Sequence, residues 1–248
     1  MKHGFNAWFA FFLFALNVGI VEAEKANPPR DFKYDLNREG TGVIIKRYKG
    51  SGIDVIIPSM IEDFPVVGLG SEAFSKSSIV SVVIPDSVTI LYKEVFKYCK
   101  LLQKVSLPKN LEDIPHECFL GCSSLKEITL SEGLKVISDK AFAYSGLESI
   151  SIPNSVFLIG TKAFDECKNL KTVIIGNGIK TIGEEAFEDC SSLTTFNIGV
   201  EKLDFADGFY IGMNWYNAGY GDDVFEGCSS LSLKERKKIR DTGYIGSF

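Results

Sequence analysis

Phenylalanine returns along this chain at a nearly fixed interval. Phe74, Phe96, Phe119, Phe142, Phe164, Phe187 and Phe225 are separated by 22, 23, 23, 22, 23 and 38 residues. A period in the low twenties restricts the chain to a solenoid, because a unit that short cannot enclose a core and must bury its apolar side against its neighbours. Solenoids of this kind offer long binding surfaces and seldom catalyse.

Each phenylalanine carries the same surroundings. Around Phe119 stand Leu111, Ile114, Cys118, Cys122, Leu125, Ile128 and Leu130, and the coils of Phe164 and Phe187 repeat them. Relative to the ring, apolar residues fall at −8, −5, −1, +6, +9 and +11. The last two alternate, which predicts a strand with every second side chain turned inward. The −1 site is small or β-branched throughout: Ala73, Val95, Cys118, Ala141, Ala163, Ala186 and Val224. A large ring beside a small neighbour predicts one filled slot per coil and a stacked phenylalanine column. After the strands come Pro85, Pro108, Pro153, Gly176 or Gly199, breakers that turn the chain out of the sheet. In the coils of Phe74 and Phe142 the cysteine is missing and the next aliphatic (Ile79, Leu147) arrives one residue early, which predicts a tighter turn there.

The segment Leu125-x-x-Ile128-x-Leu130 matches the opening of a leucine-rich repeat. The fuller unit runs from Ile152-Pro153-Asn154-Ser155-Val156 through Ile159-Gly160, Ala163-Phe164 and Cys167 to Leu170. It resembles the BspA-type leucine-rich repeats of bacterial surface proteins, the treponemal group among them, over roughly residues 30 to 248. One departure is the lack of a regular asparagine ladder after the strands; only Asn110 stands in that place. The expected fold is therefore a β-rich leucine-rich-repeat solenoid of about seven 22–23-residue coils, horseshoe-like, with an N-terminal β-meander cap and a short C-terminal helical cap. The expected organisation is a secretory signal peptide over 1–23, the β cap over 24–58, repeats over 59–233 with an aromatic insertion near 201–219, and the C-terminal cap over 234–248.

The signal is read from Lys2 and His3 ahead of an apolar run from Ala7 to Ile20, then Val21-Glu22-Ala23 as a cleavage site. The run is short for a membrane span. Removing 1–23 takes away Lys2 and Glu22 and leaves 26 basic against 31 acidic residues, a charge of −5. A mildly acidic chain without basic blocks excludes nucleic acid as the expected partner. The mature chain is expected to carry no membrane span, lipoprotein cysteine or sorting tail, and to be exported: secreted, periplasmic or held at the cell surface by a partner.

In the first cap, Phe32, Tyr34 and Leu36 alternate with polar residues before a turn at Asn37–Gly40, and Val43–Ile45 and Ile53–Ile57 follow. At the far end, Ser232-x-x-Glu235 is a capping box that predicts a basic helix through Arg240, ended near Gly243.

Six cysteines in an exported chain ordinarily predict disulfides. Here Cys99, Cys122, Cys167, Cys190 and Cys228 all hold the +3 site and Cys118 a −1 site. Equivalent interior positions predict buried thiols, with Cys99 and Cys122 on consecutive coils the pair best placed to bridge.

Exposed strand residues of such repeats line a concave sheet. Its expected columns are Ser81, Lys104, Glu127, Ser149, Thr172 and Thr195, and beside them Val83, Ser106, Thr129, Ser151, Ile174 and Asn197. Six strands about 4.8 Å apart give a face roughly 25 Å long. Hydroxyls suit any exposed sheet; read functionally, they make a shallow protein-recognition surface. The 38-residue gap holds 15 residues beyond one coil (38 − 23), with Phe205, Phe209, Tyr210, Trp215 and Tyr216. Insertions in solenoids become loops, and Trp and Tyr dominate interface hot spots. These aromatics form either a contact loop or a buttress folded onto the last coils.

Catalysis is not expected. His116 is the mature chain's one histidine, Cys118 beside it faces inward in the repeat register, and no metal, nucleophile-elbow or phosphate-loop motif occurs. No cofactor or metal is expected. The resemblance implies a module engaging a protein or glycoprotein: an adhesin for host matrix or cell-surface components such as fibronectin or fibrinogen, or alternatively an envelope scaffold for a bacterial partner.

Overall fold

A computed structural model describes residues 25–199, 209–211, 214–216 and 223–248. The expected signal segment and Phe205 lie outside the described residues. The chain opens with β1 (Phe32–Leu36), β2 (Val43–Tyr48), β3 (Asp54–Ile56), β4 (Met60–Ile61) and β5 (Phe64–Leu69). The coils then contribute β6 (Ser81–Val83), β7 (Ile90–Leu91), β8 (Lys104–Ser106), β9 (Asp113–Ile114), β10 (Val136–Ile137), β11 (Ser149–Ile152), β12 (Leu158–Ile159), β13 (Thr172–Ile175), β14 (Thr181–Ile182) and β15 (Thr195–Ile198). A hairpin of β16 (Phe209–Ile211) and β17 (Asn214–Tyr216) and a helix, Leu233–Asp241, complete the chain.

β1 and β2 form the expected antiparallel hairpin, with Leu36 opposite Val43. β3 does not extend it. It pairs in parallel with β6, so the front ladder already begins at residue 54. Each coil has three sides. The front carries the longer strands, β3–β6–β8 and β11–β13–β15; a second side carries the two-residue strands, β2–β5–β7 and β9–β10–β12–β14. Every coil-to-coil pairing is parallel, and from β5 onward in register, as in Val173 opposite Phe196; β2 and β5 slip by one residue between Val43 and Ile44.

The third side is the phenylalanine corner. Rings of Phe74, Phe96, Phe119, Phe142, Phe164, Phe187 and Phe225 stack at 5.1–5.7 Å, within 7° of parallel from Phe96 onward. Tyr48 extends the column at one end (5.4 Å) and Phe248 at the other (5.9 Å). All seven phenylalanines are fully buried. Each coil's Phe N–H donates to the carbonyl just before the next ring: Phe96 to Cys118 O at 2.9 Å, Phe119 to Ala141 O at 2.8 Å. The chain turns this corner through left-handed residues at −2 and +2, such as Glu117 (φ 55°) before Phe119 and Gly121 (φ 69°) after it. At Gly121 the glycine has a second reason, since a Cβ would strike the ring of Tyr98.

All six cysteines are free and buried, so the expected thiols are found and Cys99 and Cys122 do not bridge. Their repetition has a chemical cause. Cys99, Cys122, Cys167, Cys190 and Cys228 each donate to the carbonyl of the preceding coil's phenylalanine, at 3.0–3.2 Å. In the two cysteine-less coils the same +3 place holds Ser77 and Ser145, whose hydroxyls contact the thiols of Cys99 (3.4 Å) and Cys167 (3.3 Å). The tighter turn thus keeps a small hydrogen-bonding side chain.

At the C-terminal end Ser232 caps the helix by accepting from the Glu235 N–H at 3.2 Å. Arg236 and Arg240 lie over the ring of Phe248 at 5.2 and 5.0 Å, and Tyr244 packs edge-on against Phe225. The last coil is closed by cation–π and aromatic contact.

Candidate functional site

The front face presents the alternation expected of it. Val82, Ile150, Ile152, Val173, Ile175 and Phe196 turn inward and are buried. Outward, Val83, Lys104, Ser106, Ser149, Ser151, Ile174 and Asn197 are exposed, while Ser81, Thr172 and Thr195 are half-buried. Along β11, β13 and β15 the two columns stand in register, Ser149–Thr172–Thr195 and Ser151–Ile174–Asn197. Ser81 gives its hydroxyl proton to Asp54 at 2.5 Å, tying the first strand of the face to the second.

The face is not continuous. Glu127 and Thr129, expected on its middle strand, are exposed but belong to no strand. Among the described residues no backbone hydrogen bond joins 126–131 to 103–107. A single one, Glu148 N–H to Lys126 O at 2.9 Å, joins 126–131 to the next coil. The expected strand at 127 is missing and β3 joins at the start, so the front is two three-strand ladders, with β8 and β11 each paired on one side only. Inward residues here are less covered: Ile128 keeps 9% and Leu130 7% exposure, and Val105 and Leu107 are half-buried.

The second side opens at the same coil boundary, between β7 and β9, for a legible reason. Tyr92, Ser138, Gly160 and Gly183 donate their N–H to the coil before, at 2.7–2.9 Å. The equivalent residue is Pro115, which has no N–H to give. Only the phenylalanine corner crosses this boundary intact, through Glu94 N–H to His116 O (2.9 Å), Phe96 to Cys118 and Tyr98 N–H to Leu120 O (2.7 Å). Lys97 reinforces it, reaching Glu94 at 2.8 Å on its own coil and Glu117 across the gap. Those two carboxylates push the Lys97 ammonium far above its ordinary range.

A cavity of about 610 Å³ sits at the front break, lined by Lys104, Glu127, Thr129, Ser149, Ser151 and Ile174 among others. On its flank Lys126 and Lys171 pair with Glu148 at 3.1 and 3.6 Å. Lys104, Glu127 and Glu132 have no ionic partner among the described residues.

Of the insertion aromatics, Phe209 and Tyr210 fall on β16 and Trp215 and Tyr216 on β17, with Phe209 opposite Tyr216 and Tyr210 opposite Trp215. His116 reaches the Glu117 carboxylate at 3.4 Å. Cys118 beside it is fully buried, and burial pushes its thiol well above the ordinary range, so the pair is not arranged as nucleophile and base. Among the described residues no group of histidines, cysteines or carboxylates is placed to hold a metal ion. No helix among them is long and apolar enough to cross a membrane.

Stacked coils with one ring per turn, parallel ladders and a hydroxyl-lined front define a leucine-rich-repeat solenoid. Residues 55–157 and 91–208 match the family described as BspA type leucine rich repeat region, in six copies, and the chain belongs to that family. The structure is similar to that of the leucine-rich repeat protein TpLRR of T. pallidum. The two are 32% identical, with a TM-score of 0.78 and coverage of 90% of this chain and 99% of that one. It also resembles the fold of a leucine-rich repeat protein from Bacteroides ovatus (24% identity, TM-score 0.60, 74% of this chain and 56% of that one). No curated protein matches the sequence. Leucine-rich repeats are a protein-interaction architecture and a non-enzymatic type of scaffold.

Proposed function

We propose that this protein is an exported, surface-associated adhesin whose front face recognises a host matrix or cell-surface protein. The observation that carries this reading is the ordered half of that face. There β11, β13 and β15 hold Ser149, Ser151, Thr172, Ile174, Thr195 and Asn197 outward in two straight columns. A preorganised sheet of short side chains loses little conformational entropy when a flat partner covers it. Ile174, exposed at the centre, supplies an apolar anchor. Lys104, Ser106, Glu127 and Thr129 continue the surface, and Phe205, Phe209, Tyr210, Trp215 and Tyr216 are assigned to a second contact.

Surface plasmon resonance of the purified protein against fibronectin, fibrinogen and other matrix glycoproteins tests the proposal. Saturable binding is expected, weakened at least tenfold by Ile174→Arg and by deletion of 201–219, with the stability of the coils unchanged. Absence of binding to every matrix component, or binding indifferent to Ile174→Arg, refutes the assignment.

A further inference from the structure

We infer that the break in the front ladder is a docking slot for an extended segment of the partner's polypeptide, held through its main chain. This rests on the protein-binding reading and adds where, and in what conformation, the partner engages. None of the N–H groups of residues 126–131 makes a hydrogen bond among the described residues, and of their carbonyls only those of Lys126 and Ser131 accept one. No proline lies in that stretch, so each of the six residues carries a donor. On either side β8 and β11 present strand edges with no partner facing the break. Peptide groups left unpaired beside strand edges are what an added strand satisfies.

The surroundings favour polypeptide over other ligands. The cavity lies at the unpaired stretch, and the half-buried Val105 with the buried but incompletely covered Ile128 and Leu130 gives it an apolar floor for alternate side chains of a bound strand. No aromatic residue lines it, so a sugar ring finds no flat surface on which to stack. Lys104 stands without an ionic partner on one side, Glu127 and Glu132 on the other. An incoming segment with a basic residue facing the glutamates and an acidic one facing Lys104 meets opposite charge on both sides.

The test uses a phage-displayed library of random linear twelve-residue peptides panned on the purified protein. Enriched peptides are expected to slow hydrogen exchange at 103–107 and 126–131 at least tenfold. N-methylation of one alternate set of their amides is expected to weaken binding at least tenfold, while Glu127→Lys selects against peptides with a basic residue. No enrichment, protection confined to other coils, or affinity indifferent to N-methylation at every position overturns the inference. If a matrix protein binds and is lost with Ile174→Arg, yet no peptide enters the break, the slot fails and the adhesin reading stands. If neither peptide nor matrix protein binds, both fall.

Discussion

The phenylalanine corner and the front face are built from the same coils, yet one runs unbroken and the other does not. At the corner each coil is fixed to the next three times over: by a stacked ring, by a Phe N–H to carbonyl bond, and in most coils by a cysteine thiol on the preceding phenylalanine carbonyl. On the front a coil is fixed by strand pairing and a few exposed side-chain contacts such as Ser81 with Asp54, and at 126–131 the pairing is lost without disturbing the ring beside it. The lesson concerns redundancy. Where several weak contacts coincide in a dry interior, local irregularity is absorbed; where only exposed backbone bonds hold, one coil can drop out and leave a usable opening.

Hydrogen exchange measures this contrast most directly. The amides of Phe96, Phe119 and Phe142 are expected to exchange more slowly than those of Glu127–Leu130 by a factor on the order of 10³ or more. Equal rates would erase the distinction between corner and front. Next in size, Phe119→Ala is expected to cost about 3–5 kcal/mol by denaturant unfolding, because it empties a fully enclosed slot in the middle of the column. A loss below 1 kcal/mol would mean that the column is not the fold's main support.

Asp113 offers a test through pH. It sits at the opened second side, where burial lifts its carboxyl to about 6 against an accepted bond from Ser138 Oγ at 2.9 Å. A carboxyl raised in the folded state takes up a proton on folding. Its contribution is complete below about pH 4 and is lost as pH climbs to about 6. Asp113→Asn should therefore gain roughly 2–3 kcal/mol over the parent at pH 8 and little at pH 4. Glu94, Glu148 and Asp86, lowered by hydrogen bonds that lysines donate to them, act in the opposite direction, so the difference between variant and parent is the quantity to follow. A pH-independent difference would contradict a carboxyl raised by desolvation at the half-buried Asp113.

Smaller again, Cys190→Ala removes the thiol bond to the Phe164 carbonyl and one buried sulfur, an expected loss of about 1–2 kcal/mol, and Cys190→Ser should lose less. Equal losses would show that the thiol only fills space. Ser151→Ala, on the exposed front, is expected to stay within about 0.5 kcal/mol of the parent in thermal unfolding.

The corner was the more readable of the two regions because its periodicity resides in side chains. A ring every 22–23 residues, a small neighbour before it and alternate aliphatics after it all report burial, and the structure buries them. The helix start was legible from Ser232, whose hydroxyl caps the helix Leu233–Asp241, while the Glu235 carboxylate of the expected capping box turns to Lys238. Ser77 and Ser145 escaped notice as stand-ins for cysteine, although counting three residues on from Phe74 and Phe142 would have found them. The left-handed turns were nearly silent, since Glu, Lys, Tyr and Asp fill them and only Gly121 and Gly227 hint at the conformation. Pro115 was a usable sign that the second side loses a bond. Nothing marks the front break, because Leu125, Ile128 and Leu130 read as well as any neighbouring strand, and pairing depends on how coils settle rather than on which residues they carry.

The interval from Phe187 to Phe225 departs from the period, yet their rings stack at 5.7 Å and the Cys228 thiol still reaches the Phe187 carbonyl at 3.1 Å. Extra sequence has entered between Gly199 and Asp223 without moving the ring or the sulfur of the coil that follows. Such a molecule accommodates growth in two ways: by whole turns, which lengthen the stack, or by extra residues between the front strand of one coil and the ring of the next. An inserted or deleted residue between a ring and its thiol belongs to neither and would take from the preceding phenylalanine carbonyl one of its two donors, the other being the N–H three residues further on.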